Sequence, residues 1–199
     1  MIRKQLRPAI VMTVALCALV GLVYPGVVTV LARTVFPRQA AGSLVSVNGK
    51  VVGSALIGQT FTQPWYFHSR PSGAGAGYDA TASGGTNKGP TDRKLADTLI
   101  AGAIDSVVAH DGAVRGHIPG DMVTSSASGL DPDISPANAH LQVARVASSR
   151  GTSVASIHAF VDAHTEGRQF GFLGEPRVNV LLLNIALDSA FPRRTAPRP

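Results

Sequence analysis

The stretch SGLDPDISP, residues 128–136, contains side chains that could hold a metal ion or transfer a proton. Asp131 and Asp133 lie two residues apart, and their carboxylates could bind a hard cation if backbone carbonyls completed its coordination shell. The spacing of an EF-hand does not follow, however. Gly129 and Pro132 are typical of turns, in which Asp side chains accept hydrogen bonds from nearby backbone N–H groups. We therefore interpret both aspartates as turn residues and predict no metal ion here.

The other residues with chemical potential do not form a known motif. The chain has six histidines, but His158 and His164 would lie about 240° apart around a helix, and no His-Glu-x-x-His sequence occurs. No serine stands in a Gly-x-Ser-x-Gly elbow. The SGGTN segment, residues 83–87, could bring backbone N–H groups to an anion but lacks the Gly-Lys-Ser/Thr of a P-loop. The residues therefore specify no catalytic site and no metal site.

The N-terminal part of the chain predicts a membrane helix. Residues 8–32, PAIVMTVALCALVGLVYPGVVTVLA, carry no charge, and a bilayer core needs about 20 apolar residues in a helix. The apolar part of a signal peptide spans only about 7 to 15 residues, so we predict a retained single-pass anchor. Removal after residues 30–32, Val-Leu-Ala, is the alternative. Basic residues are equally numerous near both ends, so the positive-inside rule does not orient the helix.

Charge and cysteine content exclude several classes of protein for the folded part. The chain has a net charge of +6, but residues 39–192 contain 10 Lys and Arg and all 12 acidic residues, a net charge of −2. A folded body with this balance is not a binder of nucleic acid. The same residues contain no cysteine, which excludes a disulfide framework and a thiolate metal site there.

The remaining patterns predict a mixed α/β (α+β) domain at residues 33–190, with residues 1–7 before the anchor and a disordered basic tail at 191–199. Asn48-Gly49 predicts a type I′ hairpin over about 43–57. Residues 61–71 are rich in aromatic side chains, which we interpret as a core cluster, with an exposed docking patch as the alternative. Glycine-rich residues 72–90 predict a long loop.

Four helical patterns follow this loop, each with a predicted first residue or cap. The apolar stripes are the side chains expected to face the core. The caps are Thr91, Ser135 and Ser153, with Pro136 at the first helical position, Gly151 ending that helix, and Pro176 opening the last one. The predicted stripes are Leu95, Leu99, Ala103 and Val107; Leu141, Ala144 and Ala147; Val154, Ile157 and Val161; Val178, Leu181, Leu182 and Ile185.

Seven segments in order make the chain resemble the C subunit (KdpC) of the bacterial ATP-driven potassium uptake pump. Any one of them is weak, but seven in order behind one membrane span are highly specific. Thr86 and Lys88 depart from the Ser and Leu that are more frequent in the family. The segments are VYP (23–25), GSALIGQTF (53–61), YFHSRPS (66–72), SGGTN (83–87), SGLDPDISP (128–136), QVARVA (142–147) and GEPRVNVLLLNIALD (174–188).

The resemblance implies an accessory subunit that neither conducts potassium nor becomes phosphorylated. It would assemble with a channel-like subunit and a P-type ATPase subunit in the bacterial inner membrane, with one helix among the lipids and its domain on the extracytoplasmic side. It would be no enzyme by itself. A membrane-tethered periplasmic hydrolase or metal-binding protein is the rival hypothesis.

The resemblance also implies a link to ATP, because the family has been described as a catalytic chaperone that raises the pump's affinity for ATP. Ser83, Gly84 and Gly85 correspond to a loop likened to the signature motif of ABC transporters, and Gln142 corresponds to a proposed nucleotide contact. ATP is cytoplasmic, whereas the resemblance places the domain outside. We therefore expect no cofactor of the chain's own, with ATP reached only through the complex, and keep direct contact by these four residues as the alternative.

Overall fold

The computed structural model describes residues 2–192, which divide between two compact units at residues 54 and 55. In the first unit, a continuous helix from Arg3 to Val35 is long and apolar enough to cross a membrane. It contains the predicted span, residues 8–32. Its parts are α1 (Ile2–Ala18), a π-helical turn (Leu19–Val23) and α2 (Tyr24–Val35).

The π-helical turn has a physical cause in Pro25. Proline lacks the N–H group that would bond to the carbonyl of Gly21, and its ring crowds that carbonyl. A wider turn immediately before proline relieves this crowding. The apolar helix therefore has a local irregularity near its middle.

A short helix and a hairpin complete the first unit. The helix is α3 (Pro37–Ala40), and the antiparallel strands are β1 (Leu44–Val47) and β2 (Lys50–Ser54). Asn48 and Gly49 connect the strands with φ of 52° and 77°, as a type I′ turn requires. The predicted hairpin is confirmed.

The second unit consists of helices, a short sheet and long irregular segments, including the predicted loop at residues 72–90. Its buried core joins three helices to Phe67 from the aromatic segment. The elements are a π-helical segment (Leu95–Ile100), α4 (Ala101–Asp111), two 3₁₀ turns (Arg115–His117 and Gly120–Met122), β3 (Asp133–Ile134), α5 (Pro136–Arg150), α6 (Val154–Ala163), β4 (Val178–Asn179) and α7 (Val180–Ala190). The core contains Phe67, Ile134, Ala139, Val143, Val146, Ala147, Ile157, Val161, Val178, Val180, Leu183 and Leu187.

Helix α5 begins and ends as predicted, but its buried face differs from the predicted stripe. The Ser135 hydroxyl accepts a hydrogen bond from the N–H of Asn138 at 3.1 Å, and Gly151 ends the helix with φ of 65°. Ala144 is exposed and Leu141 is only half-buried. The predicted stripe included only apolar residues, whereas polar residues occupy part of the buried face. That face consists of Asn138, Ala139, Gln142, Val143, Val146 and Ala147.

The helix before α5 departs from its prediction in both cap and burial. The side chain of Asp92, not Thr91, accepts a hydrogen bond from the N–H of Leu95 at 3.2 Å. Of the four stripe residues only Val107 is buried, and Leu99 is 41% exposed. A four-residue apolar repeat therefore failed to predict a core-facing stripe here.

The last two helices show the same mixture of correct and incorrect predictions. Ser153 caps α6 as predicted, accepting from the N–H of Ser156 at 3.0 Å, and Ile157 and Val161 are buried, whereas Val154 is exposed. Helix α7 begins after Asn179 and not at Pro176. The intervening residues pair with β3 as strand β4, because extended backbone there completes a two-stranded sheet.

The predicted tail, residues 191–199, begins at Phe191, which packs edge-on against Phe160 with ring centroids 5.5 Å apart. Its carbonyl accepts a hydrogen bond from Arg150 at 2.8 Å. Residues 193–199 lie outside the part of the chain that the structure describes.

Candidate functional site

Gln142, one of the predicted nucleotide contacts, holds the main chain of the aromatic segment. Its side chain is buried, with 1% of the residue exposed. Oε1 accepts from the N–H of His68 at 2.7 Å, and Nε2 donates to the carbonyl of the same residue at 3.0 Å. Nε2 also donates to Asn138 at 2.8 Å, and Oε1 accepts from Arg145 at 2.7 Å. A glutamine amide offers two donor hydrogens and two acceptor lone pairs, so all four are used inside the fold.

Asn184 on α7 makes the equivalent pair of hydrogen bonds with Phe67, the residue before His68. Its Oδ1 accepts from the N–H of Phe67 at 2.9 Å, and its Nδ2 donates to the Phe67 carbonyl at 2.9 Å. Two buried amides from two helices therefore satisfy consecutive backbone positions that belong to no strand. Buried N–H and carbonyl groups need such partners. We call Gln142, Asn184 and residues 67–68 the amide clamp.

Two arginines of α5 extend this anchoring along the aromatic segment. Arg145 donates to the carbonyls of Pro64 and Tyr66 at 2.6 and 2.8 Å. It also forms a buried ion pair with Asp111 at 2.7 Å. Arg150 donates to the carbonyl of Trp65 at 2.8 Å. Phe67 is the buried anchor of the segment, so the predicted core cluster is confirmed for this residue.

A cavity of about 370 Å³ opens beside the amide clamp. Six of the residues lining it are Phe61, His68, Arg70, Val107, Asp111 and Gln142. Burial, followed by the nearby charge of Arg145, lowers the pKa of His68. A histidine with a lowered pKa is neutral at physiological pH and presents one donor and one acceptor.

The SGG segment lies against another loop and does not line this cavity. Gly84 N–H and the Ser83 hydroxyl both donate to the carbonyl of Ser128, at 2.8 and 3.0 Å. A Cβ on Gly85 would stand 3.1 Å from the carbonyl oxygen of Ala127. Gly85 therefore permits close contact between two backbones. Within residues 2–192, no hydrogen bond joins residues 83–85 to Gln142.

Asp131 occupies the turn predicted for it. Its Oδ1 accepts from the N–H of Asp133 at 3.0 Å, and its Oδ2 pairs with Arg70 at 2.9 Å. The interpretation as a turn residue is confirmed, whereas the ion pair was not predicted. Burial raises the pKa of Asp133, whose carboxylate lies 3.2 Å from Arg177.

Asp121 is a structural residue that the sequence analysis missed. Its carboxylate accepts from the N–H and hydroxyl of Ser135 at 2.7 and 2.9 Å and from Asn138 at 3.1 Å. It therefore supports the first turn of α5, which carries the amide clamp. No sequence signal linked it to a helix that begins 15 positions later.

Comparison with known proteins gives a consistent assignment. The sequence model described as "KdpC: K+-transporting ATPase, c chain" matches residues 6–189. Three relatives are each called potassium-transporting ATPase KdpC subunit. The relative from Gemmatimonas aurantiaca is 64% identical over 187 residues, 94% of this chain and 93% of its own. Those from Koribacter versatilis and Caulobacter vibrioides are 54% and 52% identical, covering 97% and 95% of this chain and 98% and 95% of their own.

These matches confirm the resemblance that the seven segments predicted. They extend through the membrane helix, the SGG segment, α5 and α7, and so include both residues of the amide clamp that lie on helices. With a family model and close relatives each spanning nearly its whole length, the chain belongs to the KdpC family of K+-transporting ATPase subunits.

Proposed function

We propose that this chain is a non-catalytic accessory subunit of an ATP-driven potassium pump and raises the pump's ATP affinity through protein contacts alone. It assembles with a channel-like subunit and a P-type ATPase subunit. Its N-terminal helix spans the bacterial inner membrane, and its domain lies on the extracytoplasmic side. The rival hypothesis of a tethered hydrolase or metal-binding protein is not favoured, because the relatives are named as subunits of a potassium-transporting ATPase.

The saturated amide of Gln142 is the observation that carries the proposal. Its four hydrogen-bonding positions are all taken by His68, Asn138 and Arg145. A nucleotide could contact this amide only by displacing a bond in a buried site, which would leave another polar group without a partner. Such a group costs about 1 to 3 kcal/mol.

The SGG segment supports the same proposal. The N–H of Gly84 and the hydroxyl of Ser83, two donors that a phosphate would need, are bonded to Ser128. The segment also lacks the lysine that neutralises phosphate in a P-loop. Gly85 is accounted for by its close contact with the backbone of Ala127.

An effect on ATP affinity does not require contact with ATP. A subunit that binds the pump's ATP-ready state more tightly than its other states shifts the equilibrium toward that state. A coupling free energy of about 1 to 3 kcal/mol changes affinity roughly 5- to 150-fold. Contacts in the membrane or outside it can supply that difference.

The membrane helix offers a surface for such contacts. Gly21 and Gly26 stand within the apolar helix. Small residues let neighbouring helices approach closely, and association in lipid depends on that packing. We therefore assign these two glycines to a contact with a partner helix.

The test is to reconstitute the pump with the wild-type chain, with no chain, and with a Gly21→Leu and Gly26→Leu double variant. Co-purification in detergent and the ATP concentration for half-maximal potassium-stimulated hydrolysis are measured. The wild-type chain should lower that concentration at least 5-fold, and the double variant should remain in the membrane but fail to co-purify. Unchanged ATP dependence without the chain, or full co-purification of the double variant, would contradict the proposal.

A further inference from the structure

Three side chains with metal-ligand atoms converge between α5 and α6. His140 lies on α5, and His158 and Asp162 lie one turn apart on α6. His140 Nε2 is 3.0 Å from Asp162 Oδ1, and His158 Nδ1 is 3.2 Å from Asp162 Oδ2. One ligand atom from each residue falls within 4.8 Å of the other two. Two imidazole nitrogens and a carboxylate oxygen therefore share one small space.

The fold holds these side chains in place through the packing beneath them. His158 and Asp162 are four residues apart on α6 and so share a face. Val143 on α5 and Ile157 and Val161 on α6 belong to the same buried core, which fixes the two helices against each other. The two imidazole rings are stacked, with centroids 4.0 Å apart and 17° between their planes.

The charge balance of the group favours a cation. Within residues 2–192, Asp162 pairs with the two histidines and with no Lys or Arg. Neutral imidazoles leave the donor set with the single negative charge of the carboxylate. The side chains of His158 and Asp162 are 53% and 57% exposed, so an ion can enter from solvent.

The donor types and distances select the class of ion. Imidazole nitrogen suits zinc and related transition metals, whereas potassium, Mg²⁺ and Ca²⁺ are bound mainly by oxygen. Tetrahedral Zn²⁺ with bonds of about 2.0 to 2.1 Å places its ligand atoms roughly 3.3 Å apart. The three ligand atoms here lie within 4.8 Å of one another, so small side-chain rotations would bring them onto one ion. We propose that His140, His158 and Asp162 bind a divalent transition-metal ion such as Zn²⁺, with the remaining coordination position open to water.

An ion bound here would link α5 to α6. Because α5 also carries Gln142, the ion would reinforce the packing of one of the two helices that supply the amide clamp. A ligand that binds only the folded state raises its stability in proportion to the logarithm of its concentration over Kd. The site would therefore make the melting temperature of the domain depend on metal concentration.

No sequence motif identifies this site, because His140 and His158 are separated by 18 positions and lie on two helices. The only local signal is His158 and Asp162 at four-residue spacing, which is also common for an ordinary ion pair. His164, the partner considered from sequence, instead faces the Phe160 carbonyl at 2.8 Å.

The test uses the full-length chain, purified in detergent without a polyhistidine tag and stripped of metal. Zn²⁺ is titrated in competition with a chromophoric chelator, and Co²⁺ is added separately to read coordination from its visible absorption. The variants are His140→Gln, His158→Gln and Asp162→Asn. The matched control is His117→Gln, which removes an exposed histidine far along the chain from the group.

The wild-type chain and the control should bind one Zn²⁺ per chain and gain melting temperature on its addition. Each ligand variant should weaken binding at least about 10-fold and lose the thermal shift, while far-ultraviolet circular dichroism stays unchanged. Wild-type binding weaker than about 100 μM would overturn the proposal. Equal Zn²⁺ affinity in His158→Gln and wild type, or equal losses in His117→Gln and the ligand variants, would also overturn it.

Discussion

The side chain of Gln142 forms two hydrogen bonds with the main chain of His68, accepting from its N–H at 2.7 Å and donating to its carbonyl at 3.0 Å. This is the pattern that a neighbouring β-strand would supply, provided here by a helix side chain. Asn184 does the same for Phe67. The QVARVA segment of this chain therefore has a structural role in fixing the aromatic segment.

Gln142→Leu should lower the free energy of unfolding by at least about 2 kcal/mol, because it leaves buried polar groups of His68 and Asn138 without partners. Urea titration of the full-length chain in detergent measures the change. Ser148→Ala on the exposed face of the same helix is the control and should change stability by less than about 0.5 kcal/mol. A Gln142→Leu variant as stable as this control would contradict the structural role.

Alanine substitutions at Gly84 and Gly129 separate a packing role from a phosphate-binding role. A Cβ on Gly129, whose φ is 66°, would lie 2.5 Å from the carbonyl oxygen of Gly84 and 2.6 Å from the nitrogen of Ala74. Overpacking of this kind typically costs about 1 to 3 kcal/mol. A Cβ on Gly84 would meet nothing within 4 Å, so Gly84→Ala should be tolerated.

Unfolding free energy and the pump's ATP dependence are measured for both glycine variants. Packing predicts a clear loss of stability in Gly129→Ala and near-normal behaviour in Gly84→Ala. A stable Gly84→Ala variant whose pump needs a much higher ATP concentration for half-maximal hydrolysis would indicate that the SGG segment has a role in nucleotide binding.

His68 should make the domain less stable in mild acid. Burial and the charge of Arg145 lower its pKa in the folded state below the usual 6.5, so the unfolded chain binds the proton more readily. This contribution is fully present above pH 6.5 and is lost as pH falls toward the lowered pKa.

The measurement is the free energy of unfolding between pH 7.5 and pH 5.5, with a chelator present to remove metal effects. His68→Gln should flatten the slope, whereas His117→Gln should preserve it. Burial raises the pKa of Asp133 above its usual 3.8, so its contribution to the slope has the opposite sign to that of His68 and is retained in His68→Gln. An unchanged slope in His68→Gln would refute this prediction.

The position of the domain relative to the membrane can be read from cysteine labelling. The chain has one cysteine, Cys17, within the apolar helix. In a Cys17→Ala background, Ser149→Cys on the exposed side of α5 should react with a membrane-impermeant maleimide added to intact cells with a permeable outer membrane. Reaction only after lysis would place the domain in the cytoplasm, where it could contact ATP directly.

Local sequence signals predicted the hairpin and two helix caps because each depends on a few adjacent residues. Asn48-Gly49 determines its turn through backbone conformation, and Ser135 and Ser153 bond to N–H groups three positions away. The buried face of α5 was not predictable in this way. Gln142 is buried because the main chain of His68, 74 positions earlier, needs its amide.

Membership of the family was predictable from the seven segments, as were the turn at Asp131 and the cap at Ser135. The contacts that segment residues make with distant parts of the chain were not. The contact between Gly84 and Ser128 and the convergence of His140 with Asp162 depend on packing between distant segments. Apolar repeats also misled at Leu99, which is exposed although its repeat predicted a core-facing position. Tertiary contacts determine these features, and no local pattern encodes them.

The most direct test of the account is ATP binding by the full-length chain without its partners. Calorimetric titration in detergent with ATP and Mg²⁺ should show no saturable binding at cellular ATP levels, while the same preparation still raises the ATP affinity of the reconstituted pump. Saturable binding that is lost in a folded Gln142→Ala variant would contradict the account and establish direct nucleotide contact.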